Sequence, residues 1–98
     1  MPLKTREEIL SLLSKCKVEL EKRFKVQRLA LFGSYARGDQ SPDSDVDILV
    51  EVDPSVGLGF VDLAERIEEV LGLPVELVSH RALTPKRMKS IEQDLIYV

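Results

Sequence analysis

Two aspartates stand two positions apart in an otherwise apolar run, Ser44-Asp45-Val46-Asp47-Ile48-Leu49-Val50. In an extended segment side chains alternate, so Asp45 and Asp47 face the same way a few ångströms from each other. Like charges so placed repel, and aspartate is a poor strand residue. The pair is costly unless a cation lies between the carboxylates. Hard divalent ions such as Mg2+ take carboxylate oxygens and keep the rest of their shell for water and substrate phosphates. The plain alternative is a solvated strand end, with Asp45 closing a loop and Asp47 facing water. Upstream, Gly33-Ser34 ends a second apolar run, Val26 to Phe32. A strand that turns into a helix at such a pair presents free backbone N–H groups and a hydroxyl, which suits a phosphate. Glycine lets the phosphate approach the backbone closely. The alternative for Ser34 is a helix N-cap. Gly-Lys-Ser/Thr is absent, so this is no Walker A loop. A phosphate-type turn after one strand and a carboxylate pair on the next together point to nucleotide chemistry assisted by a metal.

These groups need elements to hold them. Thr5-Arg6-Glu7-Glu8 reads as a capping box, with Thr5 as N-cap and Glu8 at the third helical position. Ile9, Leu12, Leu13, Cys16, Leu20 and Phe24 follow at helical spacing and predict an amphipathic helix of about five turns. Val26 to Phe32 predicts a strand, Gly33 to Gly38 a single helical turn ended by Gly38, and Asp39 to Ser44 a turn-rich loop. The next strand runs from Asp45 to Val52, with Val46, Ile48 and Val50 on one face and the two aspartates on the other. Asp53-Pro54-Ser55 breaks it. Phe60, Leu63, Ala64, Ile67, Val70 and Leu71 predict a second amphipathic helix, with Gly72 as its C-cap glycine and Pro74 shortly after. Pro74 to Ser79 is a third strand. Thr84-Pro85 opens a last helix carried by Met88, Ile91 and Leu95. Ile96-Tyr97-Val98 suits a short closing strand. The expected fold is α/β (α+β): one domain over residues 1–98, a small mixed β-sheet with helices packed on it. The first two strands are linked by too few residues for a full helical crossover, so they need not be parallel.

With 98 residues, 44% apolar and 32% charged, the chain has the content of a folded domain. No apolar run approaches the ~20 residues of a membrane span, and the first eight residues are charged where a signal peptide is apolar. Cys16 is the only cysteine, which excludes an internal disulfide and a cysteine cluster for zinc. The expected location is cytoplasmic. Fourteen basic and seventeen acidic residues give a charge of -3, which argues against binding duplex DNA. A nucleotide remains a fitting ligand, since one phosphate site needs only a few donors or a metal ion. So small a chain has room for one catalytic centre, and recognition of a large substrate would fall partly to another polypeptide. His80 has no second His or Cys beside it to share a metal. Arg81, Lys86, Arg87 and Lys89 have no acid among them: a solvated helix face, or a docking surface for an acidic partner or RNA.

Gly33-Ser34, ten residues, then Asp45-Val46-Asp47 resembles the signature of the DNA polymerase beta-like nucleotidyltransferase superfamily. The flanking Phe32-Gly33-Ser34-Tyr35-Ala36-Arg37-Gly38 and Ser44-Asp45-Val46-Asp47-Ile48-Leu49-Val50 are similar to its minimal branch, the MNT or MntA-like proteins. The resemblance implies the nucleotidyltransferase fold. It implies transfer of a nucleoside monophosphate, AMP from ATP, to a hydroxyl, with pyrophosphate released and Mg2+ required as two ions. It also implies a HEPN-domain toxin as partner, modified on a tyrosine, with this chain as antitoxin of a type VII toxin–antitoxin pair. The family uses a third carboxylate on a later strand. Glu76, the only acid within the third predicted strand, stands there, where many relatives carry the shorter Asp; Glu51 and Asp53 are competitors. Asp45 and Asp47 would hold one ion on the triphosphate and, with Glu76, a second at the attacking hydroxyl. Gly33 and Ser34 would hold the phosphate tail. Arg37, one helical turn beyond, either reaches the triphosphate or faces solvent, and Tyr35 is a candidate to pack beside the nucleotide. The rival reading is a binding module that neutralises its partner by stoichiometric complex formation, favoured by Glu76 in place of Asp and by the basic segment. A homo-oligomer is compatible with either.

Overall fold

The computed structural model describes residues 4–57 and 59–98. The capping box forms: the Thr5 hydroxyl accepts from the Glu8 N–H, and the Glu8 carboxylate accepts from the Thr5 N–H, both at 3.2 Å. It opens helix α1 (Arg6–Phe24), whose spaced apolar residues Ile9, Leu13, Cys16, Leu20 and Phe24 are buried. Strand β1 (Val26–Phe32) leads into the single turn α2 (Gly33–Arg37), which Gly38 ends in the left-handed conformation at φ 84°. Strand β2 (Val46–Val52), helix α3 (Gly59–Leu71), strand β3 (Val75–Ser79), helix α4 (Pro85–Ile91) and strand β4 (Ile96–Tyr97) complete the chain.

The sheet is mixed, in the order β3-β2-β1-β4. β1 runs antiparallel to β2 and to β4, while β2 and β3 are parallel. The loop after α2 is enough for an antiparallel return, whereas the parallel pair requires the α3 crossover. On one face, Leu29, Leu31, Val46, Ile48 and Val50 form the main core with Ile9, Leu13, Leu20, Leu63 and Ile67, all fully buried. On the other, Ala30, Phe32, Leu49 and Val78 meet Ile91 of α4, with Leu83, Met88 and Leu95 at the margin.

Three expectations need correction. Asp45 precedes β2 instead of opening it; the first ladder bond is the Val46 N–H donating to the Pro74 carbonyl at 2.9 Å. Pro74, with no N–H to give, likewise stays outside β3. The last helix stops at Ile91, where the chain turns so that Ile96 meets Leu31, leaving Leu95 beyond the helix but still against the Ile91 cluster. Among the described residues no helix is long and apolar enough to cross a membrane.

Candidate active site

The strand register places the acids. Asp47 pairs with Phe32 of β1 on one side and with Glu76 of β3 on the other. Directly paired residues share a face of the sheet, so Phe32, Asp47 and Glu76 form one row where β1 runs into α2. Gly33 is the next residue after Phe32 and takes φ 76°, a conformation that L side chains rarely adopt. A Cβ at this position would also lie 2.9 Å from Cγ and 3.1 Å from Cβ of Asp47. Sequence reasoning assigned the glycine to phosphate approach; the structure adds that Asp47 needs the same space. Phe32 occupies the N-cap of α2 without a side-chain bond, so Ser34 is not the N-cap.

Asp47 is half-buried, whereas Asp45 and Glu76 are exposed. Burial, then the close Glu76 carboxyl, then the charge of Asp45 push the Asp47 carboxyl up to about 6; only Arg37 opposes them. Acid is thus in excess at this spot. An oxygen-seeking divalent cation relieves that excess, and the donor set is entirely carboxylate. Among the described residues no three metal-ligating side chains meet as a ready-made cage. Asp47 and Glu76 are the two brought together, and Asp45 adds its charge from the end of the preceding loop.

Arg37 faces solvent, as one of its two expected courses has it, and its guanidinium is engaged by two acids. Its Nε donates to Asp39 at 3.0 Å and its Nη1 to Asp94 at 2.8 Å, tying α2 to the turn before β4. Those bonds, Asp39 first, hold its guanidinium above the ordinary range. Arg87 of α4 was legible only as one of a basic group, yet its Nη2 lies 3.4 Å from Glu76 Oε1. Nothing in the spacing of the two residues signals the contact. The competitors for the third acid lie elsewhere: Glu51 pairs with Arg28 at 3.9 Å, and Asp53 accepts from the Ser55 N–H at 2.9 Å. Tyr35 is buried in the main core, so its ring is spent on packing. Cys16 is buried as well, and burial pushes its thiol up. A cleft of about 240 Å³ lined by Val52, Phe60 and Arg81 opens at the opposite end of β2, away from the row of acids.

A mixed sheet that sets a Gly-Ser turn beside paired acids is the arrangement of a nucleotidyltransferase, an enzyme class that uses a nucleoside triphosphate and a divalent metal. The nucleotidyltransferase domain family matches residues 13–98. The protein adenylyltransferase MntA of Thermococcus cleftensis is 44% identical over 100 residues, covering 100% of both chains. In a crystal structure of a toxin–antitoxin with AMP-PNP, a chain 26% identical superposes with a TM-score of 0.64, over 85% of this chain and 69% of that one. In a mutant of the toxin–antitoxin MntA–HpeT the values are 25% and 0.66, over 98% and 72%. The chain belongs to the nucleotidyltransferase domain family, as a minimal member of the MntA type.

Proposed function

We propose that this chain is a protein adenylyltransferase of the cytoplasm that moves AMP from ATP to a tyrosine hydroxyl of a HEPN-domain toxin, and so acts as its antitoxin. The observation that carries the reading is the in-register Asp47–Glu76 pair beside the Gly33 turn. The toxin–antitoxin structures that share its fold, and its adenylyltransferase relative, support the acceptor class.

Asp45, Asp47 and Glu76 would hold Mg2+, as two ions. Bound there, Mg2+ supplies electrostatic stabilisation to the entering and leaving oxygens of the displacement. The chain's own groups do the rest. The Gly33 backbone N–H and Ser34 hold the phosphates of ATP, and Arg37 adds positive charge from α2. The acceptor oxygen forms a bond to the α-phosphorus, the bond to pyrophosphate breaks, and Glu76 receives the hydroxyl proton. Positioning and electrostatics supply most of the rate in such phosphorus chemistry.

The test is label transfer from ATP to a co-purified HEPN toxin with Mg2+ present. Asp45→Ala and Asp47→Ala are expected to lower transfer by about a thousand-fold or more, the scale of several kcal/mol of lost stabilisation. Ser34→Ala is expected to slow it about ten-fold, since backbone N–H groups remain. Glu76→Gln should leave ATP binding in place and cut the rate. If both Asp variants neutralise the toxin fully while no label moves, the enzyme reading is wrong and stoichiometric binding is the activity.

A further inference from the structure

Two guanidinium groups lie beside the row of acids, and they are held very differently. Arg37 is clamped by two carboxylates, Asp39 and Asp94, at hydrogen-bonding distance. Arg87 makes a single, longer contact of 3.4 Å to Glu76, and both side chains of that pair are about half exposed (51% and 53%). It sits near the start of α4, whose backbone is fixed by Pro85 and by the Thr84 hydroxyl accepting from the Arg87 N–H at 3.1 Å. The backbone is therefore anchored, while the half-exposed side chain is tied by that one contact to Glu76. Arg81, Lys86 and Lys89 share its segment and are exposed, and no acid lies between residues 80 and 90 to recapture the guanidinium.

We propose that Arg87 is an exchangeable counter-ion: it pairs with Glu76 when the acids hold no metal, and turns to the triphosphate oxygens of ATP when they do. This rests on the reading that Asp45, Asp47 and Glu76 hold Mg2+. The physical basis is competition for one carboxylate. A divalent cation and a guanidinium both neutralise Glu76, so binding the first weakens the hold of the second. Once released, a planar five-donor group in a basic segment finds its best partner in a phosphate. The exchange keeps the acids partly balanced before ATP arrives and adds a phosphate contact afterwards.

The experiment measures two affinities of the purified protein without acceptor. Free Mn2+ is followed by electron paramagnetic resonance, and α,β-methylene ATP with Mg2+, which lacks the bond to be broken, by calorimetry. Arg87→Gln is expected to bind Mn2+ about three-fold more tightly, the scale of an exposed ion pair removed from the competition. The same variant is expected to bind the ATP analogue about ten-fold more weakly, the scale of a lost charge-assisted bond. Arg87→Lys should fall between wild type and Arg87→Gln in both. Unchanged affinities, or a change in only one of them, would overturn the exchange. Equal shifts in Lys86→Gln would overturn it too, by showing a general charge effect. Wild-type protein that binds no Mn2+, or binds it as well after Asp47→Asn, removes the metal site itself, and the exchange with it.

Discussion

Along β2, Val46, Ile48 and Val50 are fully buried beneath α1 and α3, while on the opposite face Asp47 is half-buried and Glu51 reaches Arg28. Only Leu49 on that second face is buried, against Ile91 of α4. The difference lies in what covers each side. Helices of 19 and 13 residues shield the first face from end to end, whereas a helix of 7 residues covers only the middle of the second. One face therefore gains from every apolar side chain, and the other leaves Asp47 half-buried and Asp45 and Glu76 exposed, where carboxylates keep contact with water. Alternate residues of a single strand thus divide between a buried apolar face and a more open, acidic one.

The sharpest test of that separation uses neighbours. Ile48→Ala is expected to lower stability by about 2–5 kcal/mol, the lost transfer energy plus a cavity that the covered face cannot collapse. Asp47→Ala, which also deletes side-chain atoms, is expected to lose none of that. Urea denaturation of the two variants at neutral pH decides it, and similar losses would break the comparison.

A smaller effect distinguishes two glycines at the ends of α2. Both have positive φ, but a Cβ on Gly33 would collide with Asp47, while one on Gly38 would meet nothing within 4 Å. Gly38→Ala should lose about 1 kcal/mol of backbone strain alone. Gly33→Ala should lose about 1 kcal/mol more and also displace Asp47, so its metal-dependent stabilisation should vanish with it. Melting temperatures with and without Mg2+ and ATP separate the two cases; equal behaviour would mean that Asp47 yields freely.

The smallest expected effect is the pH dependence of the metal-free protein. The Asp47 carboxyl sits at about 6 in the fold against an ordinary 3.8. A raised value means that the folded state holds the proton more tightly than the unfolded chain. The stabilisation is complete below about pH 4 and is lost as pH rises through about 6. Because the group is only half-buried, solvent screening leaves about 1 kcal/mol of it. Asp47→Asn should flatten the stability profile across that window, and saturating Mg2+ should reverse the loss in wild type. An identical slope in wild type and Asp47→Asn would assign the titration to another group.

Much of the scaffold was legible because its signals are local. The Thr5–Glu8 box, the helical spacing from Ile9 to Phe24 and the limits of β1 are each written within a few consecutive residues, and each forms as read. The end of α4 was misread because Leu95 continues the apolar spacing of Met88 and Ile91, while the pairing of Ile96 with Leu31 requires the chain to leave the helix first. Tyr35, a candidate to pack beside the nucleotide on no signal of its own, is turned by α2 into the main core.

From its residues alone this protein declared a glycine–serine turn, a pair of aspartates ten residues further on, and a scaffold of alternating helices and strands able to carry them. These are short-range matters, settled by side-chain alternation, capping chemistry and backbone freedom. The resemblance put Glu76 forward as the third acid with Glu51 and Asp53 as competitors; the tertiary structure set Glu76 beside Asp47 and decided which cations face the acids. Glu76 reaches Asp47 because α3 packs on α1 and sets the parallel register of β3 against β2. Arg87 reaches Glu76, and Asp94 reaches Arg37, because α4 and the turn after it fold back over the second face. Such meetings depend on the sum of many weak apolar contacts between distant segments, which no spacing of charged residues along the chain encodes.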